Sequence, residues 1–198
     1  MADNGEILRA VKKAITIQRA HWMVTKQLFQ GSATLIDSAE MAGVLIKRSM
    51  IRSSVLMFTT LVSDPYETSI GGGERRKNSN FDQLKKLLSM EGKARKEVGN
   101  EIKKLKGDFS MLIEIRNREI AHTDLTVALK DEFSFFAYEE MDKAIRRCCE
   151  LFDKFCDQLQ LTDEKFNLGP KEDWEISDWK LDVSMTGDGA ALLKVLSN

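Results

Sequence analysis

The stretch "EIRNREIAHTDL", residues 114–125, gathers Arg116, Asn117, Arg118 and His122, and His122 is one of only two histidines in 198 residues. Histidine titrates near neutral pH, so it can take or give a proton without special tuning. Arginine stays charged and presents a planar fork suited to phosphate oxygens. An asparagine can hold a ribose hydroxyl or orient the imidazole. Together these are the parts of metal-free RNA cleavage. The ribose 2′-OH attacks the adjacent phosphorus, histidine handles the proton, and arginine stabilises the charge that builds on the phosphoryl oxygens. The sequence offers no metal-ligand cluster, and no cofactor is expected. The same residues also read as a charged helix end, with its histidine held by Glu119 or favoured by the helix dipole.

Spacing constrains the first reading. Arg116 and His122 are six residues apart, about 600° of helical rotation, which leaves them roughly 120° off a common face. Arg118 and His122, at i and i+4, share a face, as do Glu119 and His122 at i and i+3. A regular helix would not bring Arg116 and His122 together. Either the helix ends near "HTD", or motifs from two subunits meet in one cleft.

The elements that carry this motif are long helices. The only prolines are Pro65 and Pro170, and nothing between them interrupts a helix as proline would. Residues 6–30 repeat apolar side chains at helical spacing, among them Leu8, Val11, Ile15 and Trp22. Ser32 can cap a second helix over 33–62, whose end "VLMFTTLV" is apolar on nearly all sides and is stopped by "SDP" at 63–65. Residues 64–80 form a flexible polar loop with three consecutive glycines. A short helix covers 81–89, and another covers 91–122, with Gly99 and Gly107 as candidate breaks. Residues 130–160 make a strongly amphipathic helix. Beyond Leu161 the pattern weakens, with Trp174 and Trp179 as packing anchors and a short closing helix in "GDGAALLKVLSN". The expected fold is all-α: an antiparallel bundle of four to five long helices over residues 1–161. A C-terminal extension, 162–198, packs on that bundle rather than forming a domain of its own.

Composition adds the setting. With 42% hydrophobic and 31% charged residues, the chain reads as soluble and globular. No long uncharged apolar run is present, so no membrane span or membrane partner is expected. The charged N-terminus lacks a signal-peptide core. Cys148, Cys149 and Cys156, an odd count on one helix, read as buried thiols in a reducing cytoplasm. The net charge of −1 hides an asymmetry. Residues 74–106 carry 11 basic and 5 acidic side chains, whereas residues 107–198 carry 11 basic and 20 acidic. The basic segment holds Lys85, Lys86, Lys93, Arg95, Lys96, Lys103, Lys104 and Lys106. Lys96, Lys103 and Lys104 fall on nearly one face, which would lead to Arg116 if the helix ran unbroken. They are the candidate RNA-binding stripe, with Arg118 beside the motif; the alternative is a solvated face.

"RNREIAH" resembles the HEPN signature, an arginine followed four to six residues later by histidine, with a polar residue directly after the arginine. The wider order is similar to the AbiU type of abortive-infection HEPN proteins: two long helices ending "TTLVSDP", a polar loop, "FDQLKKLL", "LIEIRNREIAHTD" and a closing "GDGAALLKVL". That resemblance implies a helical bundle that forms a homodimer, with both motifs facing one cleft. Many such proteins are endoribonucleases of abortive-infection, toxin–antitoxin and CRISPR systems. Position by position, Arg116, Asn117 and His122 would be the catalytic motif, with Arg118 and Asp124 beside it. RNA is the implied partner, together with a second copy of the chain and an antitoxin protein. One departure stands out. HEPN toxins paired with a nucleotidyltransferase antitoxin carry a tyrosine two residues after the histidine, where this chain has Asp124.

Two functional classes therefore stay open: a metal-independent endoribonuclease of phage defence or a toxin system, and a non-catalytic helical module that binds RNA or protein. The first expects Arg116 and His122 to be accessible in a cleft. A His122 buried in the core of one subunit would favour the second. His21 reads as a helix-face or partly buried histidine. The "GGGERRK" loop lacks the pattern of a nucleotide-binding loop.

Overall fold

The computed structural model describes residues 4–30, 40–65, 67–69, 75–87, 92–120 and 136–168. Its contacts divide into two compact units, Met1–Phe166 and Asn167–Asn198. Everything below concerns the first. The closing helix, Trp174, Trp179 and the C-terminal extension beyond residue 168 lie outside the described residues, as do Ser32 and residues 33–39 of the expected second helix.

The fold is all-α, built on six helices among the described residues: α1 (Asn4–Gln30), α2 (Glu40–Val62), α3 (Phe81–Leu87), α4 (Lys93–Asp108), α5 (Ser110–Ile115) and α6 (Tyr138–Gln158). Their apolar stripes explain why they pack. Leu8, Val11, Ile15 and Trp22 are buried along one face of α1. On α6 the buried positions recur at 141, 144, 145, 148, 149, 151, 152, 155 and 156, the 3.6-residue period of a helix with one face in the core. Trp22 and Lys26 of α1 both reach Asp142 of α6, each at 2.7 Å. Glu101 of α4 pairs with Arg147 and Lys154 of α6. The end of α2 is helical as expected, with Val55, Phe58, Leu61 and Val62 buried. It is not apolar-buried all round, since Leu56 faces solvent at 38% exposure.

Two features differ from the sequence expectation. The segment 64–80 is not loop throughout: β1 (Glu67–Ser69) and β2 (Arg75–Lys77) pair antiparallel, with Glu67 opposite Lys77 and Ser69 opposite Arg75. The helix expected over 91–122 is broken, but at neither glycine. Gly99 lies inside α4, and the chain leaves helical geometry at Phe109, with φ −117° and ψ 30°. The Phe109 ring is buried edge-on against Phe58, at 5.7 Å between ring centres. Helical geometry is interrupted at that one residue, and the Phe109 carbonyl accepts from Leu112 and Ile113 to start α5. The basic face of α4 therefore does not run unbroken to Arg116.

The end of the bundle follows α6. A 3₁₀ turn at Thr162–Glu164 is tied to α1 by Lys12–Glu164 at 3.0 Å. Lys165 pairs with Asp157, and the Phe166 ring packs on Phe152.

Candidate active site

Arg116 opens a π-helical turn, Arg116–Ile120, directly after α5. Such turns hydrogen-bond from i to i+5, are rare, and cluster at functional sites. The buried Ile115 anchors the start of the turn and leaves Arg116 at the boundary between core and solvent.

The guanidinium of Arg116 is held at two points. Its Nη2 donates to Asp64 Oδ1 at 3.2 Å, and its Nη1 donates to Asn117 Oδ1 at 3.0 Å. The Arg116 side chain keeps 33% of its surface exposed, so the fork is oriented without being closed off. Asn117 is exposed and spends its side-chain oxygen on Arg116. Arg118 turns away to Glu114, one helical turn back on an exposed face, at 3.2 Å.

Asp64 is itself held in place. It follows α2, where Ser63 and Asp64 both donate their N–H to the Thr59 carbonyl. Pro65 then ends the helix. The Asn80 side chain is fully buried; its amide donates to the Asp64 and Pro65 carbonyls at 2.9 and 3.0 Å. Its oxygen accepts from the Gln83 N–H at 2.9 Å, capping the start of α3. Asn78 adds a second bond to the Pro65 carbonyl at 2.7 Å. One buried asparagine thus starts α3 and fixes the turn that presents Asp64 to Arg116.

Of the residues singled out from sequence, the structure brings Arg116 and Asn117 together and sets Arg118 beside them on Glu114. His122 and Asp124 lie outside the described residues. Sequence reasoning missed Asp64 and Asn80. "SDP" was legible only as a helix stop, and no local signal joins it to an arginine 52 residues later.

The basic stripe divides. Lys96, Lys103 and Lys104 are all exposed. Lys96 and Lys103 line a groove of about 310 Å³ between α3 and α4, together with Lys85, Arg95 and Asn100. Lys104 is not among the groove's lining residues and acts on Glu101 instead. There a hydrogen bond from Lys154 holds the Glu101 carboxyl below its ordinary range, burial opposes this, and the charges of Lys154, Arg147 and Lys104 reinforce it.

The remaining chemistry-bearing side chains have structural partners. His21 is half-buried, with Nδ1 3.0 Å from Ser54 Oγ, and burial lowers its pKa. Ser54 Oγ donates to the Met50 carbonyl, so the imidazole N–H donates to Ser54. The three cysteines are buried free thiols; burial pushes Cys149 up to about 12 and Cys156 up to about 11. Among the described residues no helix is long and apolar enough to cross a membrane.

In comparison with known proteins, a family model described as HEPN_AbiU2, AbiU2, fits residues 9–174. No curated protein and no solved structure matches the chain.

Proposed function

The chain belongs to the AbiU2 family of HEPN proteins, and from that premise we propose that it is a metal-independent endoribonuclease of abortive infection or a toxin–antitoxin system. The observation that carries this reading is the Arg116 fork, oriented by Asp64 and Asn117, one third open to solvent, on a π turn just before His122 in the sequence.

The chemistry follows from the residue types. The 2′ oxygen of the ribose attacks phosphorus while His122 takes its proton. The P–O5′ bond breaks, leaving a 2′,3′-cyclic phosphate on one fragment. The departing 5′ oxygen takes up a proton and becomes a 5′-hydroxyl. Arg116 meets the charge that develops on the phosphoryl oxygens. Asn117 completes the catalytic set by orienting the guanidinium. A homodimer with both motifs in one cleft supplies two imidazoles, one to accept the proton and one to give it. It also removes the angular mismatch of a single helix, because Arg116 and His122 need not come from the same copy. Arg118 and the groove residues Arg95, Lys96 and Lys103 of α4 steer the RNA. An antitoxin protein would act by covering this cleft.

The ion pair itself favours a second reading. An arginine already paired with Asp64 is also what a non-catalytic, RNA- or protein-binding HEPN module would contain. Incubating the full chain with labelled single-stranded RNA separates the two. Cleavage by wild type that disappears in His122→Ala supports the nuclease; RNA left intact by wild type supports the module.

A further inference from the structure

We propose that the groove between α3 and α4 is a binding site for a run of phosphate groups. Four cations line it: Lys85 from α3, and Arg95, Lys96 and Lys103 from α4. Its volume of about 310 Å³ sits at the lower end of the ~300–1,000 Å³ typical of small-ligand pockets. Among the described residues none of the four has an ion-pair partner, whereas Lys93, Lys106 and Lys154 around them pair with Glu97, Asp82 and Glu101. Like charges gathered in one groove repel one another, and an anion bound between them relieves that repulsion. No described carboxylate or aromatic ring lines the groove. The ligand is therefore recognised through its phosphates and not by base stacking. The first turn of α4 opens at Gly92, another lining residue, with no side-chain cap, so its amides add to the positive field.

Gly99 leaves space on the groove wall beside Lys85. It lies inside α4, where alanine holds a helix better than glycine and no turn calls for a glycine. A Cβ there would come within 3.1 Å of Lys85 Nζ and 3.3 Å of Lys85 Cε. Glycine leaves room for the Lys85 ammonium to cross the groove floor. The group that would have to move is the tip of a flexible side chain, so alanine shifts the ammonium by a few tenths of an ångström without disturbing the fold.

Phosphate runs come from an RNA backbone or from free polyphosphate, and one experiment tests the site and its source. The groove stands on its own geometry and does not depend on the cleavage reading. The full chain is titrated at low salt with inorganic tripolyphosphate and, separately, with a 2′-O-methylated single-stranded RNA that has no 2′-OH nucleophile. Lys85→Ala with Arg95→Ala should weaken tripolyphosphate binding by about tenfold or more, the scale of losing charge-assisted hydrogen bonds. Gly99→Ala should also weaken it while the protein melts no lower than wild type. Lys104→Ala, outside the groove, should bind as wild type. If the groove variants lose RNA equally and tripolyphosphate displaces RNA, the ligand is an RNA backbone. If RNA binding is unchanged in them, the ligand is free polyphosphate. Failure of wild type to bind tripolyphosphate, or equal losses in Lys104→Ala and the double variant, overturns the site.

Discussion

Arg116 and Asp64 lie 52 positions apart in sequence, yet their side chains meet at 3.2 Å, joining the π turn after α5 to the end of α2. Both are partly exposed, at 33% and 23%, so the pair stabilises the fold by no more than about 1 kcal/mol. Its consequence for activity is expected to be larger, because it sets the direction of the guanidinium. Asp64→Ala should lower kcat for RNA cleavage by about 10–100-fold with little change in KM, the signature of a misdirected group that acts in the transition state. A rise in KM at unchanged kcat would show that Asp64 affects RNA binding instead.

Asn80 should be far more sensitive than its place in a polar segment implies. It caps α3 and satisfies two carbonyls while fully buried. Asn80→Ala should cost roughly 2–4 kcal/mol, read as a lower urea midpoint: part is the lost cap, the rest the Asp64 carbonyl left without its partner, since Asn78 still serves the Pro65 carbonyl. Cleavage should fall with it, since Asp64 loses its anchor.

The pH dependence of stability should carry a signature of His21. Burial lowers its folded pKa below the ordinary value of 6.5, so the unfolded chain binds the proton first as pH falls. Stability is therefore full above about pH 6.5 and declines as pH drops toward the folded pKa. His21→Gln should flatten the melting temperature between about pH 7 and pH 5 relative to wild type. An unchanged slope would mean that another group controls it.

The cysteines should be silent in the native protein. With Cys149 pushed up to about 12 and Cys156 to about 11 by burial, few thiolates exist at mildly alkaline pH. Iodoacetamide should label none of the three until denaturant is added, as mass spectrometry would show. Rapid native labelling of Cys148 or Cys149 would contradict the packing of α6.

The helices were legible because their apolar spacing is local. Positions 141, 145, 148, 152 and 155 announce α6 without knowledge of any neighbour. The break in the segment before the motif was only half legible. Glycines at 99 and 107 drew attention, but the chain turns at Phe109 because its ring has a place to go against Phe58, and that partner is 51 residues away. The same limit hid Asp64 from the reading of the motif. Arg116 and Asn117 could be singled out as neighbours, whereas the carboxylate that orients Arg116 is supplied by the fold. In the basic segment, helical spacing grouped Lys96, Lys103 and Lys104. The packing of α3 on α4 instead joins Lys96 and Lys103 to Lys85 and leaves Lys104 outside the groove.

The central claim is that Arg116 and His122 cleave RNA without a metal ion. Its most direct measurement is end-group analysis of labelled single-stranded RNA incubated with the full chain in EDTA, for wild type, Arg116→Ala and His122→Ala. Wild type should leave 2′,3′-cyclic phosphate and 5′-hydroxyl ends, and His122→Ala none. Arg116→Ala should cleave about 100–1,000-fold more slowly, the usual consequence of removing a group that stabilises transition-state charge. Cleavage that stops in EDTA and returns only with added divalent metal, or that leaves 5′-phosphate ends, would contradict it.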